Sequence, residues 1–256
     1  MNMTMLESSA PLARLRRRIA RIEGARGHDK AERFATGHQE IDAWLGGGLS
    51  RGRLHEMMAE EGEDSGALAG FAAMLAMRAA PDQPILWLRT EAAERQAGRI
   101  YATGLTELGV PGGLLLLGLV ADEVMLLRTA ADAARCAGLG VLVVECWGAA
   151  KVIDLTATRR LMLAAEHSGV TVLLVRTAVR ESPSVADTRW RVSAAPSIAL
   201  PADAPGQPAF DLELLRRRAG PAGRQWRVEW NRERRSFQIP GGATALPGAV
   251  LPLAAH

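Results

Sequence analysis

From residue 54 to residue 176 the chain alternates short apolar runs with longer stretches of helical period. LHEMMA (Leu54–Ala59), ILWLRT (Ile85–Thr90), Leu114–Gly118, VLVVE (Val141–Glu145) and Val170–Arg176 read as strands. Gly66–Arg78, Ala92–Thr103, Asp122–Ala137 and Asp154–His167 read as the helices between them. In the first helix, Ala69, Ala72, Ala73 and Ala76 are small enough to permit close approach to a sheet. Strands that alternate with helices and are apolar on both faces predict a mostly parallel sheet covered on both sides. Beyond Pro183 the pattern changes. Thr188–Leu200, Phe210–Arg217 and Trp226–Asn231 read as strands with no helix between them. Trp226, Val228 and Trp230 alternate with Arg227, Glu229 and Asn231, so this strand has one buried face, and the Gly- and Pro-containing stretch Ala219–Arg224 joins it to its predecessor as a hairpin. The predicted fold class is α/β, with C-terminal antiparallel strands.

The two ends differ from this core. In residues 11–26, Leu12, Leu15, Ile19 and Ile22 make one narrow apolar stripe, while Arg14, Arg16, Arg17, Arg18 and Arg21 cover the other faces. So narrow a stripe docks on something, either a neighbouring protein (a second copy included) or the chain's own domain. Ile41, Trp44 and Leu45 fit a short helix stopped by Gly46, Gly47 and Gly48. The stretch from Ile239 to His256 holds Pro, Gly and Ala and no Asp, Glu, Lys or Arg. The expected organisation is a basic arm (1–33), a core domain (34–238) and a flexible or docking tail (239–256).

At 256 residues and 48% hydrophobic content the chain can bury a large core. The two cysteines, Cys136 and Cys146, sit in apolar stretches and read as reduced core thiols of a cytoplasmic protein. No apolar segment with a following cleavage site marks a secretory signal. The longest apolar run, Leu114–Ala121, is far short of the ~18 residues of a membrane helix. The net charge of +3 is unevenly spread: residues 1–33 and 209–238 each carry 8 basic and 4 acidic side chains, and the rest of the chain 15 and 20. Basic ends around an acidic middle place contacts with partners or nucleic acid at the ends, unless the arginines only solvate the surface.

The candidate chemistry lies at Arg53–Leu68, where a strand, a turn and a helix start occupy the place of a phosphate-cradling loop. The pattern G-x-x-x-x-G-K-[ST] needs glycines for the tight backbone, a Lys for the β- and γ-phosphates and a hydroxyl for Mg²⁺. With Gly66 as the second Gly, Glu61 stands at the first, Ala67 at the Lys and Leu68 at the Ser/Thr. Glu60, Glu61, Glu63 and Asp64 surround the turn. Each carboxylate at ~4 Å from a phosphate would cost about 4 kcal/mol at an effective dielectric near 20. The turn could equally serve as a contact for a basic partner.

In order of elements and in these stretches the chain resembles the RecA-like recombinase core. IDAWLGGGLSRGRLHEMMAE takes the place of its lead-in to the phosphate loop, and VLVVE that of its Walker B strand, with Glu145 where an Asp would help hold Mg²⁺. More specifically, DLTATRRLMLAAEHSGVTVLLVR (Asp154–Arg176) and DTRWRVSAAPS (Asp187–Ser197) resemble the ImuA family, over about residues 30–235. That resemblance implies a RecA-like accessory protein of SOS-induced translesion DNA synthesis and mutagenesis. It implies an ImuB-type polymerase-like partner, an error-prone replicative-type polymerase reached through it, and RecA as a further contact. ECWGAAKVIDLT and TAVRESPSVA are shorter than the DNA-binding loops of a recombinase, which argues against strand exchange. Two other expectations compete with an adaptor: a RecA-like ATPase with an unorthodox phosphate site, and a cell-division inhibitor like SulA.

No catalytic residue, cofactor or metal is expected. Glu145 reads as a sheet-end carboxylate satisfied by local N–H groups. His28, His38, His55, His167 and His256 show no ligand spacing. For partner or nucleic-acid contacts the candidates are Arg14, Arg17, Arg18 and Arg21 on the arm, then Arg159 and Arg160, then Arg189 and Arg191 flanking Trp190. Arg216, Arg217, Arg218, Arg234 and Arg235 complete the set beside the terminal hairpin. In a strand, Arg189 and Arg191 share a face opposite Trp190, free for a partner or paired with surface acids. Direct DNA binding stays open, because no aromatic stacking platform accompanies the arginines.

Overall fold

The computed structural model describes residues 32–180, 183–200, 204–218 and 220–241. Arg14, Arg17, Arg18 and Arg21 of the predicted arm, and the tail beyond residue 241, lie outside the described residues. The elements run β1 (Arg33–Phe34), α1 (Gln39–Leu45), β2 (Leu49–Ser50), β3 (Leu54–Ala59), α2 (Ser65–Ala79), β4 (Ile85–Thr90), α3 (Glu91–Ala97) and α4 (Ala102–Glu107). They continue with β5 (Leu115–Val120), α5 (Glu123–Ala133), β6 (Val141–Trp147), α6 (Leu155–Ser168) and β7 (Thr171–Thr177). The antiparallel strands β8 (Thr188–Ala194), β9 (Ala209–Arg217), β10 (Gln225–Asn231) and β11 (Ser236–Gln238) close the chain.

Nine strands form one sheet in the order β11-β10-β9-β8-β3-β7-β6-β4-β5. From β8 to β5 every neighbour is parallel, and from β8 to β11 every neighbour is antiparallel. The helix boundaries follow from capping. The side chains of Asp122 and Asp154 accept the N–H groups of Met125 and Ala157 at 2.8 and 2.7 Å, opening α5 and α6 one residue later than the apolar pattern alone suggests. Gly46 and Gly169, both left-handed, end α1 and α6. The single helix expected over Ala92–Thr103 is two, α3 and α4, divided at Gly98 with φ +79°.

Each face of the sheet has its own core. On one, α2 lays Leu68, Phe71, Leu75 and their neighbours on Met57, Val143, Leu173 and Trp190. The terminal strands curl over the same helix: Phe71, Phe210, Phe237 and Trp230 form a chain of ring contacts with centroids 4.9–6.2 Å apart. On the other face, α5 and α6 cover Leu88, Leu142, Val172 and Leu174. The expected coverage of both faces fails at the edge strand β5, where Leu116, Leu117 and Leu119 are half exposed. Cys136 is exposed, against the expectation of a core thiol; Cys146 is buried, and burial pushes its thiol up to about 12. Among the described residues no helix is long and apolar enough to cross a membrane.

One buried charged cluster inside the sheet is a triad of Glu56, Arg176 and Arg189. Glu56 on β3 is fully buried and pairs with Arg176 of β7 (3.2 Å) and Arg189 of β8 (2.9 Å). Glu56→Gln removes the buried negative charge that both guanidinium groups share and is expected to cost about 3–5 kcal/mol, read from the midpoint of urea unfolding. On the opposite face, the fully buried His55 bonds Thr188 Oγ1 (2.8 Å) and the Ser50 carbonyl (2.9 Å), and burial lowers its pKa below the ordinary 6.5. Between the two values the unfolded chain binds more protons than the folded one. Stability is therefore expected to fall as pH drops below about 6.5, and His55→Gln to flatten that slope in urea titrations at pH 5–8.

Candidate functional site

The acidic turn leaves the carboxyl end of β3, where open α/β sheets carry their ligand crevices. Its backbone turns once as a short 3₁₀ segment, Gly62–Asp64, before α2 begins. In that turn the N–H groups of Asp64 and Ser65 are spent on the carbonyls of Glu61 (3.3 Å) and Gly62. Two of its acids are held by β8. Glu60 accepts from Arg191 at 2.7 Å, a guanidinium that also pairs with Glu213, and Asp64 accepts the backbone N–H of Ala194 at 2.8 Å. Gly62 packs on the indole of Trp147 at the end of β6, so that a Cβ there would meet the ring at 3.0 Å. Glu63 and Asp64 precede α2 directly, so carboxylates already stand where the partial positive charge of the helix start would attract a phosphate.

The residues at the loop's defining positions have other work. Leu68 has no exposed surface and belongs to the α2 core, with Ala67 packed partly against it. Glu60, Glu61 and Glu63 are all exposed, and of these Glu60 is already paired with Arg191, which leaves Glu61 and Glu63 outside the latch to β8.

Glu145 is satisfied differently from the expectation of local N–H groups. Its two oxygens accept from Trp87 Nε1 (2.7 Å) and Arg89 (3.0 Å), both on the neighbouring strand β4. Arg89 also donates to the carbonyls of Ala93 and Gly98, tying α3 to the same cluster. Burial pushes the Glu145 carboxyl up, while Arg89 and Trp87 pull it back towards ionisation. Each oxygen of the carboxylate therefore already accepts a hydrogen bond from β4. Among the described residues no group of three or more His, Cys, Asp or Glu side chains could hold a metal ion. Arg89 and Trp87 carry no motif, and only the register Arg89↔Glu145 brings them to Glu145.

The candidate arginines separate into two groups. Arg189 is buried on Glu56 and cannot meet a partner; Trp190 is core, as one of the two readings had it, but the acid on Arg189 is interior. Arg217 caps α1, donating to the carbonyls of Trp44 (2.6 Å) and Leu45 (2.8 Å), and Arg216 donates to the carbonyl of Ser184. Arg218 reaches Met162 Sδ at 3.5 Å, and Arg191 is the latch on Glu60. In contrast, Arg159 and Arg160 on α6, and Arg234 and Arg235 in the β10–β11 turn, are exposed and make no side-chain ion pair among the described residues.

No family model matches the chain. A solved structure of the RadB recombinase superposes with a TM-score of 0.55 at 15% identity, covering 80% of this chain and 99% of the recombinase. The recombinase-like fold expected from the order of elements is therefore present. Protein ImuA of Caulobacter vibrioides, from strains NA1000 and CB15, is 33% identical over 207 residues, or 74% of this chain and 80% of the relative. With that identity over most of both sequences, on a recombinase-like core, the chain belongs to the ImuA family.

Proposed function

We propose that the protein is a non-enzymatic RecA-like adaptor of SOS-induced translesion synthesis and mutagenesis. In this reading it binds an ImuB-type polymerase-like protein, reaches an error-prone replicative-type polymerase through it, and contacts RecA. The observation that carries the non-enzymatic half is the state of the turn after β3. Its acids lie where phosphates would sit, two of them held by β8, and a core leucine replaces the hydroxyl that would reach Mg²⁺. A nucleotide would have to break the Glu60–Arg191 and Asp64–Ala194 contacts and then face the freed carboxylates. The polymerase-associated half rests on the family.

Titration calorimetry with Mg-ATP is expected to show no saturable heat. Ala67→Lys with Leu68→Thr, checked as folded by circular dichroism, is expected to remain silent while Glu60, Glu61, Glu63 and Asp64 are present. Micromolar affinity in either protein overturns the electrostatic argument and favours an ATPase. Co-expression with an ImuB-type protein is expected to give a complex that survives size-exclusion chromatography. Recovery of a tubulin-like division protein in its place favours the cell-division reading.

A further inference from the structure

A second concave site lies away from the acidic turn. Arg33 of β1, Arg51 before β3, Arg78 in the last turn of α2, and Arg234 and Arg235 of the β10–β11 turn line one pocket of about 460 Å³. The first and last of these residues, Arg33 and Arg235, lie 202 positions apart in the sequence and meet because the terminal hairpin curls over α2. Contacts there are specific: Arg78 donates to the carbonyls of Ala35 (2.9 Å) and Arg235 (3.2 Å), and Phe237 N–H to that of Thr36 (3.2 Å). Of the five, Arg51 is paired, loosely, with the exposed Glu32 at 3.5 Å. The remaining four have no ion pair among the described residues, and no acid lines the pocket.

Its floor is apolar, made by Ala35, Met77, Pro81 and Pro111. Phe34, the aromatic ring in the lining, is buried beneath the Arg51 guanidinium, 5.6 Å from it, and offers no face to a base. A neighbouring cavity of about 710 Å³ shares Arg51 and Pro81 but contains Glu32, Asp82 and Glu166, with Arg53 paired to Glu166. Its charge is balanced from within, and that of the five-arginine pocket is not.

We propose that this pocket binds an acidic peptide segment of a protein partner, with one apolar side chain on the Met77–Pro81–Pro111 floor and carboxylates on the arginine rim. Guanidinium forks suit carboxylates, which they can hold bidentately. A concave apolar floor fits a side-chain anchor. Single-stranded nucleic acid calls for a groove with exposed stacking rings, which the pocket lacks.

The test uses the full chain and fluorescence anisotropy at 50 and 150 mM salt. The probe is a fluorescein-labelled synthetic peptide of acidic residues around one central leucine, and the comparison is an oligothymidylate of equal charge. The peptide is expected to bind more tightly than the oligonucleotide. R234E/R235E, exposed turn positions, is expected to weaken the peptide about tenfold or more. Charge reversal of equal size at the distant Arg159 and Arg160 is expected to change it less than about twofold. Replacing the peptide's leucine by serine is expected to weaken binding in the unaltered protein and to have little further effect in R234E/R235E. Equal loss in both arginine variants reduces the effect to net charge and overturns the pocket. Tighter binding of the oligonucleotide, lost in R234E/R235E, makes it a nucleic-acid site instead, and no binding of either probe removes it. The acidic turn is untouched in these variants, so peptide and nucleotide binding succeed or fail independently.

Discussion

The sheet depends on one buried carboxylate. Glu56 sits on β3, the strand where the parallel half of the sheet meets the strands leading into the antiparallel half, and it holds a guanidinium from each side. Desolvating an ion costs several kcal/mol or about that order, so such a triad stabilises little beyond what apolar residues could. What it adds is discrimination between registers. A one-residue slip of β8 or β7 against β3 would turn Arg189 or Arg176 to the opposite face, into the core packed by α2, and leave charges unpaired. Apolar runs such as VLVVE and TVLLVR tolerate slippage far better, because Val, Leu and Ile are nearly interchangeable in a buried strand. One acid and two arginines supply the distinction that these runs lack.

That register then sets the turn beyond β3. With Glu56 opposite Arg189 and Met58 opposite Arg191, the next residues of β3 and β8 leave the sheet side by side. Arg191 is thereby within reach of Glu60, and the Ala194 N–H within reach of Asp64. A phosphate loop works by keeping its N–H groups free and its charge positive. Here carbonyls take the N–H groups of Asp64 and Ser65, and Glu63 and Asp64 set negative charge beside the helix start. The same arrangement fastens the turn to β8 at Glu60 and Asp64.

Strand and helix positions were legible because burial on both faces imposes continuous apolar runs, and Asp122, Asp154, Gly46 and Gly169 mark helix ends by local chemistry. Leu68 at the hydroxyl position was equally plain. The partnership of Glu145 with Arg89 and Trp87 was not, since it depends on β4 lying beside β6, a crossover that no local pattern encodes. Arg189 illustrates the harder case. Alternation put it opposite Trp190 but could not say whether that face met solvent or a second helical layer, and a bulge between Arg189 and Trp190 breaks the register with β9 there. β5 misled in the opposite sense: a run of leucines reads as interior, yet its outer edge has no neighbouring strand among the described residues.

Arginine content therefore overstates how much basic surface a partner can meet. Of 31 basic side chains only Lys30 and Lys151 are lysines. A guanidinium has five donors in a rigid fork and can close carbonyls that a regular ladder leaves open. Arg33 takes the carbonyls of Leu45 and Gly48, Arg217 those of Trp44 and Leu45, and Arg89 those of Ala93 and Gly98. Each joins segments whose own backbone pairing stops short. Arg33 and Arg78 do this with one side of the fork while still lining the five-arginine pocket, so the groups that fasten α1 and the terminal hairpin also set its charge. A fold that uses arginine as its fastener concentrates its unpaired positive charge wherever several fastened segments meet, and in this chain that place is concave.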